Sequence, residues 1–278
     1  MDVTFKEQIL KTRLFFDQVA LFYLGQVGYI IKANGKYILI DGYLSDYVDR
    51  NCASEAVPWV RRYPAPISAE ELDFIDYVFC THSHYDHADP DTLSVLASVN
   101  KKATYFVSKA IVDTVASYGV PRESIVGLSC DEPYVVSKDW RFTALPAAHE
   151  EFHTDANGDY KEVGFRLDLG PVSLFHAGDG CPYTGLAERL AGVHVLLLPV
   201  NGRDYYRREI CDIIGNFDSR EAALLAKEVG ASLLIPTHFD LYDVNCINPA
   251  QFVDTLNSVN SKQCYHIFRP GERYIFGK

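Results

Sequence analysis

No apolar stretch of this 278-residue chain is long enough to cross a bilayer: the longest, around Val193 to Val200, falls far short of the roughly 20 residues a spanning helix needs. The opening MDVTFKEQILKTRLFFDQ breaks every apolar stretch with a charge, so neither a signal peptide nor an anchor is expected there. The seven cysteines are odd in number and form no C-x-x-C pair, which argues against a disulfide framework and for reduced thiols in a cytoplasmic protein. Positive charge is scarce, with 26 lysines and arginines against 37 acidic residues and a formal charge of −11. A surface built for nucleic acid or an anionic membrane is thereby disfavoured, while a small anionic substrate in a local basic pocket stays compatible. The chain also lacks a G-x-S-x-G elbow and a G-x-x-x-x-G-K-[ST] loop, so neither a serine hydrolase nor a P-loop NTPase is supported. Linkers, low-complexity tracts and repeats are missing too, and residues 1–278 read as one domain.

What is present is an alternation of short apolar runs and helical segments. Leu21 to Leu24, Tyr29 to Lys32 and Tyr37 to Ile40 predict an opening β-meander, the last two runs joined by Asn34-Gly35, whose residues tolerate positive φ. Phe74 to Thr81 reads as a buried strand, and Asp89-Pro90 supplies a helix cap and first-turn proline just beyond it. Glu162 to Asp168 and Val172 to His176 flank Gly170-Pro171 as a further hairpin. Asp218 with Glu221 predicts a capping box for a helix through Val229, and Asn248-Pro249 opens another. The tail YHIFRPGERYIF reads as a closing hairpin. Two β-rich halves, each followed by helices, point to an α/β protein with two sheets face to face and helices outside. An N-terminal pattern of Phe5, Ile9, Leu10, Leu14 and Phe15 fits a helix packed on its own fold or a homo-oligomer contact.

The sharpest feature is His82-Ser83-His84-Tyr85-Asp86-His87, placed after the buried strand. At ordinary residue frequencies such an H-x-H-x-D-H string arises by chance on the order of once in a thousand chains. A loop capping the following helix needs one such side chain, not four. Imidazole and carboxylate are the ligands that a borderline ion such as zinc prefers. Three more ligand types end apolar strands: His149 after ALPAA, Asp179 in FHAGDG and His238 in LLIPTHFD. The expected assignment places His82, His84 and His149 on one divalent ion, Asp86, His87 and His238 on a second, and Asp179 between them. Two ions about 4 Å apart activate water at neutral pH without serine or cysteine. Cys181 reads as a bystander thiol, and His153, His176, His194 and His266 as structural. In PVNGRDYYRREICDIIGNFD, Asn201, Arg203 and Asp204 either contact substrate or form a surface turn with ordinary ion pairs. Arg61, Arg62, Arg207 and Arg208 read as solvated.

HSHYDH, His149, the AGD of Asp179 and His238 follow in an order that resembles the metallo-β-lactamase superfamily, with Asp41 in LIDG matching the aspartate after its early hairpin. The resemblance implies an αβ/βα four-layer sandwich, the metallo-β-lactamase fold, with two divalent metal ions at one edge of the sheets. Within the superfamily the segments YLGQVGYIIK, ILIDGYLSD, YGVPRESIV and IPTHFD look most like the L-ascorbate-6-phosphate lactonase-like branch, which implies Zn2+ or Mn2+ and a lactone or ester of a small anionic sugar derivative. Asp86 and Asp179 are then the catalytic carboxylates that orient the nucleophile. The alternatives are a phosphodiesterase or nuclease of the same fold, and a non-catalytic metal-binding sensor.

Overall fold

A computed structural model describes residues 3–55 and 57–278. In chain order its strands are β1 (Gln18–Gly25), β2 (Gly28–Ala33), β3 (Lys36–Ile40), β4 (Tyr77–Cys80), β5 (Thr104–Ser108), β6 (Ile125–Leu128), β7 (Pro133–Val135), β8 (Trp140–Pro146), β9 (Val163–Leu169), β10 (Val172–His176), β11 (Val195–Pro199), β12 (Leu233–Thr237) and β13 (Arg273–Gly277). They form two sheets, one in the order β13-β1-β2-β3-β4-β5-β6 and the other β12-β11-β10-β9-β8-β7.

Both faces of each sheet are covered, which follows from the near-continuous apolar runs of the strands. Along β1, Val19, Leu21 and Tyr23 point into the space between the sheets, where they meet Phe142, Phe165 and Leu167 of the facing sheet. Ala20, Phe22 and Leu24 point the other way, toward Leu93 and Leu96 of the helix Pro90–Val99. On the far side of the second sheet, Leu196, Leu198 and Leu234 pack against Ala222 and Ala226 of the helix Ser219–Val229 and Phe252 of the helix Pro249–Asn260. The result is the expected αβ/βα sandwich of four layers. Among the described residues no helix is long and apolar enough to cross a membrane.

Local chemistry accounts for the element ends. Asn34 and Gly35 take positive φ in the β2–β3 turn, at 45° and 74°. Asp89 accepts the Asp91 N–H at the start of its helix, and Asp218 accepts from both Arg220 and Glu221 in a complete capping box. The N-terminal helix Phe5–Lys11 buries Ile9 in its own fold and is tied down by Lys32, whose Nζ donates to the carbonyls of Ile9 and Leu10 at 3.0 and 2.8 Å.

The expected closing hairpin is not formed. Tyr265 instead makes a bridge to Leu234 at the edge of the second sheet, and β13 pairs antiparallel with β1 in the first. The tail therefore crosses from one sheet to the other and covers an edge strand of each, β12 and then β1.

Phe79 sits where the sheets meet, with its ring 5.0, 5.0 and 4.9 Å from those of Phe106, Phe142 and Phe165. Phe79→Ala is expected to lower stability by about 3–5 kcal/mol, the usual cost of an aromatic cavity, measured by chemical denaturation.

Candidate metal centre

The strand directions explain why distant ligands meet. β3, β4 and β5 run parallel, as do β10, β11 and β12, and β8 shares their direction through antiparallel β9. The loops after β3, β4, β8, β10 and β12 therefore leave from one edge of the sandwich, carrying Asp41, the His82–His87 string, His149, Asp179 and His238.

These side chains converge on two adjacent groups. In the first, ligand atoms of His82, His84, His149 and Asp179 all lie within 4.8 Å of one another, and in the second so do those of Asp86, His87 and His238. His82 Nε2 and His84 Nδ1 are 2.8 Å apart. Asp179 stands between the groups: Oδ2 is 3.7 Å from His149 Nε2, while Oδ1 is 3.4 Å from His87 Nε2 and 3.5 Å from His238 Nε2. Asp86 Oδ2 is 3.7 Å from both His87 Nε2 and His238 Nε2.

Asp41 anchors the arrangement. Its fully buried carboxylate accepts the Thr81 N–H and the Thr81 hydroxyl, both at 2.8 Å, and lies 2.9 Å from His87 Nδ1. A carboxylate only accepts, so Nδ1 carries a proton and Nε2 is turned toward Asp179. Gln26 holds the second group from the other side, its Nε2 2.9 Å from Asp86 Oδ2 and 3.1 Å from His238 Nε2. Backbone conformation is forced here as well: Gln26, Asp41 and His238 have φ of 59°, 44° and 57°, a region that side chains other than glycine enter at a cost. Gly178, before Asp179, has φ of 61°, and a Cβ on it would stand 2.6 Å from Thr81 Cβ and Oγ1. Only glycine lets the two sheets approach so closely at this edge.

The donor set fits metal ions. His87 Nε2 and Asp179 Oδ1 are buried and have no hydrogen-bond partner among the described residues, an arrangement that is costly unless a cation completes it. Burial pushes His149 down to about 4, helped by the surrounding imidazoles and opposed by Asp179, so it is neutral at physiological pH, the form that binds a metal. Burial, then His87 and His84, likewise hold His82 well below the usual histidine range. Burial also acts to lower His87, but Asp179, Asp86 and Asp41 outweigh it and raise its affinity for a proton well above the ordinary value. A site that draws protons so strongly onto an imidazole carries an excess of negative charge that divalent cations would balance.

The other histidines have structural partners. His176 Nε2 lies 2.7 Å from the Val27 carbonyl, His194 holds Ser173, and His153 and His266 face Glu162 and Glu272. Cys181 lies beside the centre with its thiol toward the Gly215 carbonyl, and all seven cysteines are free.

Asn201, Arg203 and Asp204 are not brought into the cavity above the ligands. Arg203 is forked onto Glu221 at 2.8 and 2.6 Å and Asp204 pairs with Arg207 at 2.8 Å, while Asn201 is buried and donates to Asn245 Oδ1 at 2.8 Å. Asn201 and Arg203 border a different hollow, behind the segment that faces the metal centre. The Asp218–Glu221 capping box is the reason for Arg203: it fixes Glu221 where the guanidinium can reach it. The cavity proper, about 440 Å³, is bounded by His84, Asp86, His149, Asp179 and His238 on its floor. Its walls include Trp59, Ile213, Ile214 and Asn245, which no sequence motif had marked.

Four layers of this order with two ligand groups at the strand ends define the class, and the sequence confirms it: residues 36–239 match the family described as the beta-lactamase superfamily domain. The chain belongs to the metallo-β-lactamase superfamily. A relative in Methanoculleus marisnigri, named a metal-dependent hydrolase, is 31% identical over 212 residues, covering 73% of this chain and 82% of its own. Among solved structures, a metallo hydrolase from Ignicoccus hospitalis superposes with a TM-score of 0.71 at 20% identity over 94% of this chain and 99% of its own. An isothiocyanate hydrolase from Delia radicum gut bacteria superposes at 0.74 with 17% identity, over 93% and 100%. The likeness to these two is one of fold.

Asp41→Asn keeps the volume but leaves at least one of its three donors without an acceptor; metal affinity is expected to fall about 10–100-fold, read by competition with a chromophoric chelator. Gly178→Ala forces a Cβ onto Thr81 and is expected to cost roughly 2–4 kcal/mol, visible as a lowered melting temperature.

Proposed function

We propose that the chain is a metal-dependent hydrolase that holds two divalent ions, Zn2+ or Mn2+, and opens a lactone or cleaves a related ester. The observation that carries this reading is Asp179, whose two oxygens face two separate ligand groups. Bound there, divalent ions supply a Lewis acid for the carbonyl and water activated at neutral pH. The protein's own part follows from its geometry. Asp86, fixed by Gln26 and still partly open to the cavity, is favoured as a carboxylate by His87 and His238 against the effect of burial, and so can accept the proton of an attacking water. Asp179 keeps the two groups in register, and Asp41 and Thr81 hold His82 and His87 in fixed orientations.

A phosphodiester or nucleic-acid substrate is less well served, because among the described residues bordering the cavity there is no lysine or arginine. The same lining leaves the expected anionic group of a sugar phosphate with no cationic side chain to meet it. The free thiols support a reducing compartment such as the cytoplasm.

The test is release of acid from a panel of lactones and activated esters by metal-reconstituted protein, with a chelated control. Chelator-sensitive turnover is expected. His84 is exposed, so His84→Ala should fold normally yet lose at least about 100-fold in turnover, more than the loss of an outer partner causes. Full activity in His84→Ala at saturating metal would sink the assignment, and metal-loaded protein inert across the panel would favour the sensor alternative.

A further inference from the structure

The metal groups form only the floor of the cavity, and its walls have a different chemistry. Trp59 packs edge-on to Tyr242 with ring centres 5.1 Å apart and also joins a small apolar cluster with Val57, Cys211 and Ile213. Ile214 is 40% exposed at the rim although it is a large aliphatic residue. Trp59 and Asp212 have φ of 37° and 53°, so the two loops that carry this wall are held in conformations that cost free energy, a common mark of a surface shaped for binding. The only charged side chains besides histidine along the described lining are the carboxylates Asp86, Asp179 and Asp212.

Two of the arginines nearby are committed elsewhere: Arg207 is paired with Asp204 and donates to the Asn201 carbonyl, and Arg203 is forked onto Glu221. Arg208, paired with Glu150 but 65% exposed, borders an adjoining hollow beyond Ile213 and Ile214 and is not part of the cavity lining. An anionic tail in the cavity would therefore lose its hydration with no fixed cation in exchange, beyond any charge at the floor. An alkyl or aryl tail gains by leaving water for the Trp59–Ile213–Ile214 wall.

One wall residue is a fixed hydrogen-bond donor. Asn245 Oδ1 accepts from Asn201 Nδ2 at 2.8 Å and has Arg207 Nη1 at 3.4 Å. Arginine can only donate, so this side of the amide must be the oxygen, and the NH2 group is turned away from both donors. Asn245 borders the cavity, which makes its Nδ2 the group offered to a ligand. The Asn201–Arg207 segment thus acts on the site from behind, by fixing which end of this amide faces inward.

Resting on the hydrolase reading above, we propose that the substrate is an uncharged lactone or ester with an apolar acyl chain, which lies on the Trp59–Ile213–Ile214 wall while Asn245 Nδ2 donates to an oxygen of the acyl group. In the reaction a water oxygen bonds to the acyl carbon and the acyl C–O bond breaks. One water hydrogen goes to the departing alcohol oxygen, and the acid formed releases the other as a proton at neutral pH.

The test uses the full metal-loaded chain and two esters that differ in one terminal group, 4-nitrophenyl hexanoate and the mono-4-nitrophenyl ester of adipic acid. kcat/KM is expected to be at least about tenfold higher for the uncharged hexanoate, and Ile214→Lys should narrow or reverse that ratio. Asn245→Asp keeps an acceptor for Asn201 and Arg207 but removes the inward donor. It should cost roughly tenfold in kcat/KM on hexanoate at unchanged metal content, whereas a residue that only braces its neighbours would be little affected. Binding gives a readout free of turnover: hexanamide should perturb tryptophan emission at lower concentration than adipic acid monoamide, and Trp59→Phe should remove the signal. Equal rates or a preference for the adipate ester, with equal binding of the two amides, would overturn the inference and leave the hydrolase reading in place. Preferential hexanamide binding without chelator-sensitive hydrolysis of either ester would uphold the apolar cavity and overturn the hydrolase reading.

Discussion

The buried carboxylate of Asp41 is the constraint on which the rest of the metal edge depends. It follows β3, receives both the backbone and the hydroxyl of Thr81 at the end of β4, and fixes Nδ1 of His87 as a donor and with it the direction of the ring. A full charge at 0% exposure is tolerable only with such complete pairing. That pairing sets the start of the histidine-rich loop, and with it the direction in which His82 and His84 leave the sheet. Thr81 in turn abuts Gly178 of the second sheet, so one cluster joins the ligands supplied by both halves of the sandwich.

Four layers make that cluster possible. Alternation along β1 sends one set of side chains into the shared core and the other toward the helices, and both sheets are gripped on both faces. The apolar mass thus lies behind the strand ends, and the polar groups at the edge can be held in conformations that no isolated loop would keep. Gln26, Asp41 and His238 are examples, each with a positive φ beside the ligand groups.

Much of this was legible in the residues because it is encoded locally. The Asn34-Gly35 turn, the Asp89-Pro90 and Asn248-Pro249 starts and the Asp218–Glu221 box all act within a few residues of themselves, and each has its expected structural consequence; the equally local HSHYDH string supplies side chains to both candidate ligand groups. His149, Asp179 and His238 were legible for a second reason, that a metal-ligand type ending an apolar strand is rare enough to register. What was not legible depends on partners far along the chain. Arg203 looked available until Glu221 came within reach of its guanidinium, and Asn245 carried no signal until Asn201 and Arg207 fixed its amide. The tail has the alternation of a hairpin, yet its partners are β1 and Leu234, an outcome governed by which sheet edges remain open once the core has formed. Gln26 left only the trace of a polar residue between Gly25 and Gly28, too common a pattern to single out.

That crossing of the tail has a consequence for how the molecule is made. β1 leaves the ribosome about 250 residues ahead of β13, which covers its outer edge. Until β13 emerges, β1 therefore presents an open row of N–H and C=O groups, the kind of edge through which nascent chains pair with one another. The strands that carry every metal ligand have by then already emerged, so the centre can assemble before the first sheet is sealed. How long that open edge is exposed to other chains is accordingly set by the wait for β13 rather than by the many-partnered edge where the ligands meet.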